Sequence, residues 1–258
     1  MSVPLSTSVV LSTLEFDVLW ESERLPAKHV ALTVPSPGMT HTERAELVAG
    51  AFGTLARRGL VEGRRAVPEL ADWLSLLAHP QVCVDSWVWT DHEIKALAVA
   101  SGEQGMLAVV DGPEVWLIPA RATALAEAAV SVAGEAPAGP GRSVSLPTEV
   151  LSAADARSGG TPQNMITELS QNGVPLYDAQ ILSSMFTGMG ARGQFGVERV
   201  GRDQRRQRAG RVVAFHDTDA GRYLYLARPS NDGRMWSTVT PADNARLAAC
   251  VWELLDEV

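Results

Sequence analysis

Few residues in this 258-residue chain combine the types and spacing that do chemistry. His216-Asp217-Thr218-Asp219 sets an imidazole beside two carboxylates, donors that a metal ion accepts. The same residues run into Ala220-Gly221 between two apolar runs, where a hairpin turn is expected, and no second His/Asp cluster completes a coordination shell. No metal is therefore expected. His29, His41, His79 and His92 are isolated in sequence and read as surface or cap residues. Gly188-Met189-Gly190-Ala191-Arg192-Gly193 matches GxGxxG literally. A dinucleotide site needs a strand before those glycines and a helix after them, so that phosphate meets a helix N-terminus. Here a predicted helix precedes and a predicted strand follows, so no cofactor is expected.

Cys83 and Cys250 fall in an apolar strand and an apolar helix and read as reduced core residues of a cytoplasmic protein. There is no GxSxG, P-loop, HExxH or CxxC, so no catalytic residue is nominated and the chain reads as a non-enzyme. A site assembled from distant residues escapes a linear reading. The alternative is an enzyme, or a small-ligand-binding regulatory protein, with its site in a cleft between two halves near His216 and Asp217.

Charge is placed unevenly. Residues 1–140 carry 9 Lys/Arg against 17 Asp/Glu, and residues 141–258 carry 13 against 13, so the net −8 lies in the first part. An acidic chain is a poor general binder of nucleic acid or anionic membrane, and no apolar run is long enough to span a bilayer. Neither nucleic acid nor membrane insertion is expected. The start MSVPLSTSVV has no basic leader before an apolar stretch, so no secretory signal is expected. The most polar stretch, Gly201–Arg211 (GRDQRRQRAGR), lacks the interleaved aromatics of a nucleic-acid site. It reads as a solvated hairpin loop, with contact to a carboxylate-bearing protein partner as the other reading.

The elements that must position these residues form two similar series. Residues 82–118 read as four strands, Val82–Trp89, Ile94–Ala100, Met106–Val110 and Val115–Ile118, followed by a helix after Pro119-Ala120. The series returns as Gln194–Val200, Arg211–His216, Arg222–Arg228 and Trp236–Thr240, with a helix after Pro241-Ala242. Proline at a first-turn position is expected at both helix starts. Turn residues separate the strands at Ser101-Gly102, Asp111-Gly112-Pro113, Asp217–Gly221 and Asn231-Asp232-Gly233. Ahead of the first series, Ser12 and Glu15 form a capping box for a helix to about Glu23, and Lys28–Val34 reads as a strand. Thr40 or Thr42 opens a helix to Arg58, and Val67–Ala78 follows as another. Gly134–Gly141 is a Pro/Gly/Ala-rich joint, and helices are expected at Thr148–Ala156, Pro162–Gln171 and Leu176–Phe186.

This is an α+β pattern: a quasi-twofold repeat of two similar halves, about 1–140 and 141–258, within a single domain. A central antiparallel sheet is expected, flanked by two helical bundles. The strands are apolar on both faces. In Arg222–Arg228 one face has Leu224 and Leu226 and the other Tyr223 and Tyr225. Helices, the other half or a partner must cover the second face. A homodimer is compatible with that surplus.

The segments LEFDVLWESERLP, LTVPSPG, TERAELVAGAFGTLARRGL, ELADWLSLLAHP with VCVDSWVW, and VTPADNARLAACVWELL carry a resemblance. In their order the chain resembles the EspG family, cytosolic chaperones of ESX (type VII) secretion, over essentially its whole length. The resemblance implies a non-catalytic protein that binds the tip of the PPE subunit of a PE–PPE heterodimer, keeping that cargo soluble and directing it to export. It implies contact through the sheet and the C-terminal helical bundle. Carried onto this sequence, that surface is Val213, Phe215, Tyr223 and Tyr225 on strands, with Phe186 and Met189 beside them. Arg205 and Arg206 of the arginine-rich loop are candidates for charge contact, although no family motif aligns to that loop.

Overall fold

The computed structural model describes residues 8–201, 205–231 and 233–258. The reading of the leader falls largely on residues 1–7, and Arg202, Asp203, Gln204 and the turn residue Asp232 also lie outside the described residues. The chain is mixed helix and strand with a large antiparallel sheet. It divides into two compact units, Met1–Trp87 with His92–Val132 and Glu198–Gln207, and Val88–Asp91 with Ala133–Val197 and Arg208–Val258.

The first unit opens with an edge strand, β1 (Val9–Ser12), and then α1 (Thr13–Ser22). The Ser12–Glu15 capping box forms in both directions, at 3.1 and 2.9 Å. Lys28–Val34 is not a strand. The His29 imidazole Nδ1 accepts the Ala31 N–H at 3.2 Å and turns the chain into a 3₁₀ helix over Val30–Leu32. α2 (His41–Arg57) is capped by Thr40 and stopped at Gly59, where φ is 68°. A small hairpin, β2 (Val61–Glu62) and β3 (Arg65–Ala66), leads into α3 (Pro68–Ala78).

The first meander is β4 (Val82–Trp89), β5 (Glu93–Ser101), β6 (Gln104–Asp111) and β7 (Glu114–Arg121), followed by α4 (Leu125–Ser131). In this unit the strand order is β1-β7-β6-β5-β4. Pro119 does not open the helix; it sits inside β7, opposite Met106. Among the described residues pairing with β1 ends at Leu117, short of Pro119, which has no N–H to donate. α1, α2 and α3 bury Phe16, Leu55, Leu70 and Leu74 with Leu97, Val99 and Ala108 in one cluster. α4 packs on β5, β6 and β7 with buried residues that are outside that cluster.

The second unit also sets an edge strand and helices ahead of its meander. An edge strand, β8 (Val144–Pro147), precedes α5 (Thr148–Ser158), α6 (Pro162–Gln171) and α7 (Leu176–Phe186). The second meander is β9 (Met189–Val200), with the short β10 (Arg206–Arg208) paired to it, then β11 (Val213–Thr218), β12 (Gly221–Pro229) and β13 (Met235–Pro241). The order is β9-β11-β12-β13-β8. Pro241 ends β13, and Asp243 caps α8 (Asn244–Leu255), accepting the Arg246 N–H at 2.8 Å. Proline at a first-turn position thus fails in both series, because the strands run on through it.

Helices cover both faces of the second meander from within its own unit. α5, α6 and α7 bury Leu151, Leu169, Leu182 and Met185 against Tyr223 and Val239. α8 packs on β11. The surplus apolar face read from sequence is here a two-sided core.

Candidate functional site

α7 and the start of β9 frame a concave surface of the second unit. A cavity of about 280 Å³ is walled by Phe186, Thr187 and Met189 on one side and by Ser158, Thr161 and Met165 on the other. Its geometry follows from local sequence. Pro162 fixes the first turn of α6, two glycines (Gly159 and Gly160) with left-handed φ turn the chain between α5 and α6, and Gly188 at φ 70° lets it leave α7. The Ser183 hydroxyl donates to the Pro162 carbonyl at 3.0 Å and ties α7 to α6. Met189 is half exposed and Phe186 half buried, so an apolar lip borders a polar turn.

The candidate residues separate. Val213, Phe215 and Tyr223 are fully buried and do not form a contact surface in this structure. Residues alternate along β11 and β12, so Val213 and Phe215 take one face and Tyr223 and Tyr225 the other. Phe215 stacks on Phe195 at 5.7 Å and lies under the Arg222 guanidinium at 4.6 Å. The Tyr223 hydroxyl donates to the Pro140 carbonyl at 3.1 Å. Tyr225 is partly open, its hydroxyl 2.8 Å from that of Ser237. Only Phe186 and Met189 are brought together in the cavity. Leu176, Tyr177, Met235 and Trp236 are exposed large apolar residues that the sequence reading missed. Leu176 and Tyr177 follow Pro175 at the head of α7, which a helical-period count places on no particular face.

His216 and Asp217 do not converge. His216 is buried and stacked between Phe186 (4.9 Å) and Tyr223 (5.5 Å), its Nε2–H donating to the Met185 carbonyl at 2.8 Å. Burial holds this imidazole below its usual pKa, against the opposing pull of the Met185 carbonyl and the Asp217 charge. Asp217 is instead gripped by Arg222. The hairpin turn is Asp219-Ala220, tighter than the expected Asp217–Gly221. Gly190 and Gly193 of the GxGxxG match lie within β9, so no helix N-terminus follows them.

In the first unit, His29, Cys83 and Glu198 lie together, with one donor atom of each within 4.8 Å of the others. His29 Nδ1 accepts from Ala31, so a neutral imidazole carries its proton on Nε2, which faces Glu198 at 3.7 Å. The other Glu198 oxygen faces Arg206 at 3.7 Å. The Glu198 carboxylate thus already has a ring nitrogen and a guanidinium at ion-pair distance, one on each oxygen, and its charge is shared with Arg206. Arg206 belongs to β10, so part of the arginine-rich stretch is paired strand, not loop. Arg205 is exposed, and its carbonyl accepts the Gly201 N–H at 2.8 Å. These arginines belong to the first unit, apart from the Phe186–Met189 cavity.

No curated protein matches the chain. Among solved structures it is similar to the Mycobacterium tuberculosis type VII secretion system chaperone EspG5, solved in complex with a PE25–PPE41 dimer. Identity is 14%, the TM-score is 0.76, and the match covers 97% of this chain and 96% of that one, which establishes a shared fold. The EspG family model matches residues 12–253. That span runs from the last residue of β1 through β8, both meanders and nearly all of α8, and the chain therefore belongs to the EspG family.

Proposed function

We propose that this chain is a non-catalytic cytoplasmic chaperone of type VII secretion that binds the PPE subunit of a PE–PPE heterodimer, keeps it soluble and carries it to export. Family membership and the EspG5 complex support this reading. The observation that carries it is the apolar lip of Phe186 and Met189 over a cavity in a helical bundle, with Leu176 and Tyr177 exposed on the same α7. Exposed large apolar side chains cluster where a protein partner buries them. The fold reading is a single EspG-like domain of two quasi-twofold halves, supported by the parallel orders β1-β7-β6-β5-β4 and β8-β13-β12-β11-β9.

Co-expression with PE–PPE pairs, followed by size exclusion with light scattering, tests the proposal and reports any homodimer in the same run. A stoichiometric complex with a pair that aggregates alone is expected. Failure with every PE–PPE pair of the source genome sinks it. Arg205 and Arg206 form a second, electrostatic part of the reading. Replacing both with Ala should weaken cargo binding more at low salt than at high salt, and equal losses at both would remove them from the interface.

A further inference from the structure

The first unit carries a cavity of about 350 Å³ lined by apolar Val48 and Phe52, by Arg24, Arg44, Arg64 and Arg65, and by the carboxylate of Glu21. Residues 1–140 contain only nine basic residues against seventeen acidic ones, and four of the nine line this one cavity. Three carboxylates, Asp17, Glu21 and Glu23, stand against these four guanidinium groups.

Two of the four are committed within the fold. Arg44 Nη2 bonds Asp17 and Glu21, both at 2.8 Å, and Arg65 pairs with Glu23 at 2.7 Å. Arg24 and Arg64 have no carboxylate partner among the described residues; Arg64 lies 5.8 Å over the Phe52 ring. Arg24 has a further peculiarity. It follows the last turn of α1 at φ 55°, and it is the one non-glycine residue at positive φ among the described residues. At such a helix end glycine is the low-energy choice. An arginine there keeps a guanidinium at the rim against the preference of its own backbone.

We infer that this cavity docks an acidic peptide segment of a partner protein, with one apolar side chain on the Val48–Phe52 floor and flanking carboxylates on Arg24 and Arg64. Charge complementarity selects that occupant: with Glu21 taken up by Arg44, the two guanidinium forks of Arg24 and Arg64 beside an apolar floor match carboxylates on either side of an apolar residue. No residue of this cavity is among those proposed for PE–PPE cargo, so the inference stands apart from that reading.

Fluorescence anisotropy on the full chain tests it. The probes are acetylated, amidated peptides in which a single leucine, phenylalanine or valine is flanked on both sides by glutamate and aspartate, with lysine-flanked versions and inorganic phosphate as controls. At least one acidic peptide should bind, with affinity falling as salt rises, while the lysine versions should not. Arg24→Gly suits the left-handed backbone, so thermal stability should hold or rise while affinity falls about tenfold, the loss of one charge-assisted contact. Arg64→Gln should act in the same direction. Lack of preference for acidic over lysine-flanked peptides overturns the inference. So does binding unchanged in Arg24→Gly and Arg64→Gln, or a phosphate affinity equal to that of the peptides, which would mark an anion site only.

Discussion

Arg222 and Asp217 grip one another across the β11–β12 turn: guanidinium Nε and Nη2 donate to the two carboxylate oxygens at 2.7 and 2.8 Å. Arg222 is fully buried. Its remaining donors go to the Ala133 carbonyl at 2.7 Å, the Gly134 carbonyl at 3.1 Å and the Asn244 side chain. One side chain thus binds a hairpin, the segment leading into the second unit and the start of α8. Removing one partner of a buried pair strands the other, which costs about 3–5 kcal/mol. Arg222→Met should therefore lower the urea midpoint by an amount equivalent to roughly that energy, and Asp217→Asn by less. A midpoint within error of wild type for Arg222→Met would contradict this role.

The Gly134–Gly141 joint is strapped to β12 by backbone hydrogen bonds. Arg222 donates its backbone N–H to the Pro137 carbonyl at 2.8 Å, and Gly139 donates to the Arg222 carbonyl at 3.0 Å. A Cβ on Gly139 would sit 2.2 Å from the Tyr223 ring. Gly139→Ala should destabilise by about 1–3 kcal/mol through overpacking. Gly134→Ala, which meets no neighbouring atom but holds φ at 69°, should cost less. Thermal melts of the two variants give the comparison, and equal losses would mean the strap is not packed as described.

His216 makes stability depend on pH. Its folded pKa lies below the ordinary histidine value of 6.5, so below about that pH the unfolded chain binds a proton that the folded chain refuses. The stabilisation is complete above 6.5 and declines as pH falls, with a limiting slope of about 1.4 kcal/mol per pH unit for one proton. His216→Gln should flatten the profile between pH 6.5 and lower values while lowering overall stability. Chemical denaturation at a series of pH values measures this, and an unchanged slope in the variant would count against it.

Met189 is the place to test the cargo surface without disturbing the fold. It is 50% exposed, and a surface substitution there should change stability by less than about 0.5 kcal/mol. Met189→Glu puts a charge on the apolar lip and should weaken PE–PPE binding about tenfold or more. Phe186 is a poorer probe because its ring is stacked on His216. Unchanged affinity for Met189→Glu would move the interface elsewhere.

The order of elements was legible in the chain because local rules decide it. Ser12–Glu15, Thr40 and Gly59 mark helix ends by side-chain caps and by left-handed φ, and the run Ala96–Ala100 is a strand apolar on both faces. The strands β1 and β8 were not legible, because four residues are too few to show a period of two. Lys28–Val34 alternates like a strand, and only the His29 side chain bonding to Ala31 turns it into a 3₁₀ helix. Sequence also determined that Val213, Phe215, Tyr223 and Tyr225 are apolar strand positions. Whether such residues face a partner or the interior depends on which helices lie over them, and that is a matter of packing between segments far apart in the chain. Tertiary structure decided it by setting α5, α6, α7 and α8 over the second meander, leaving the Phe186–Met189 lip as the open apolar surface beside the α5–α6 turn.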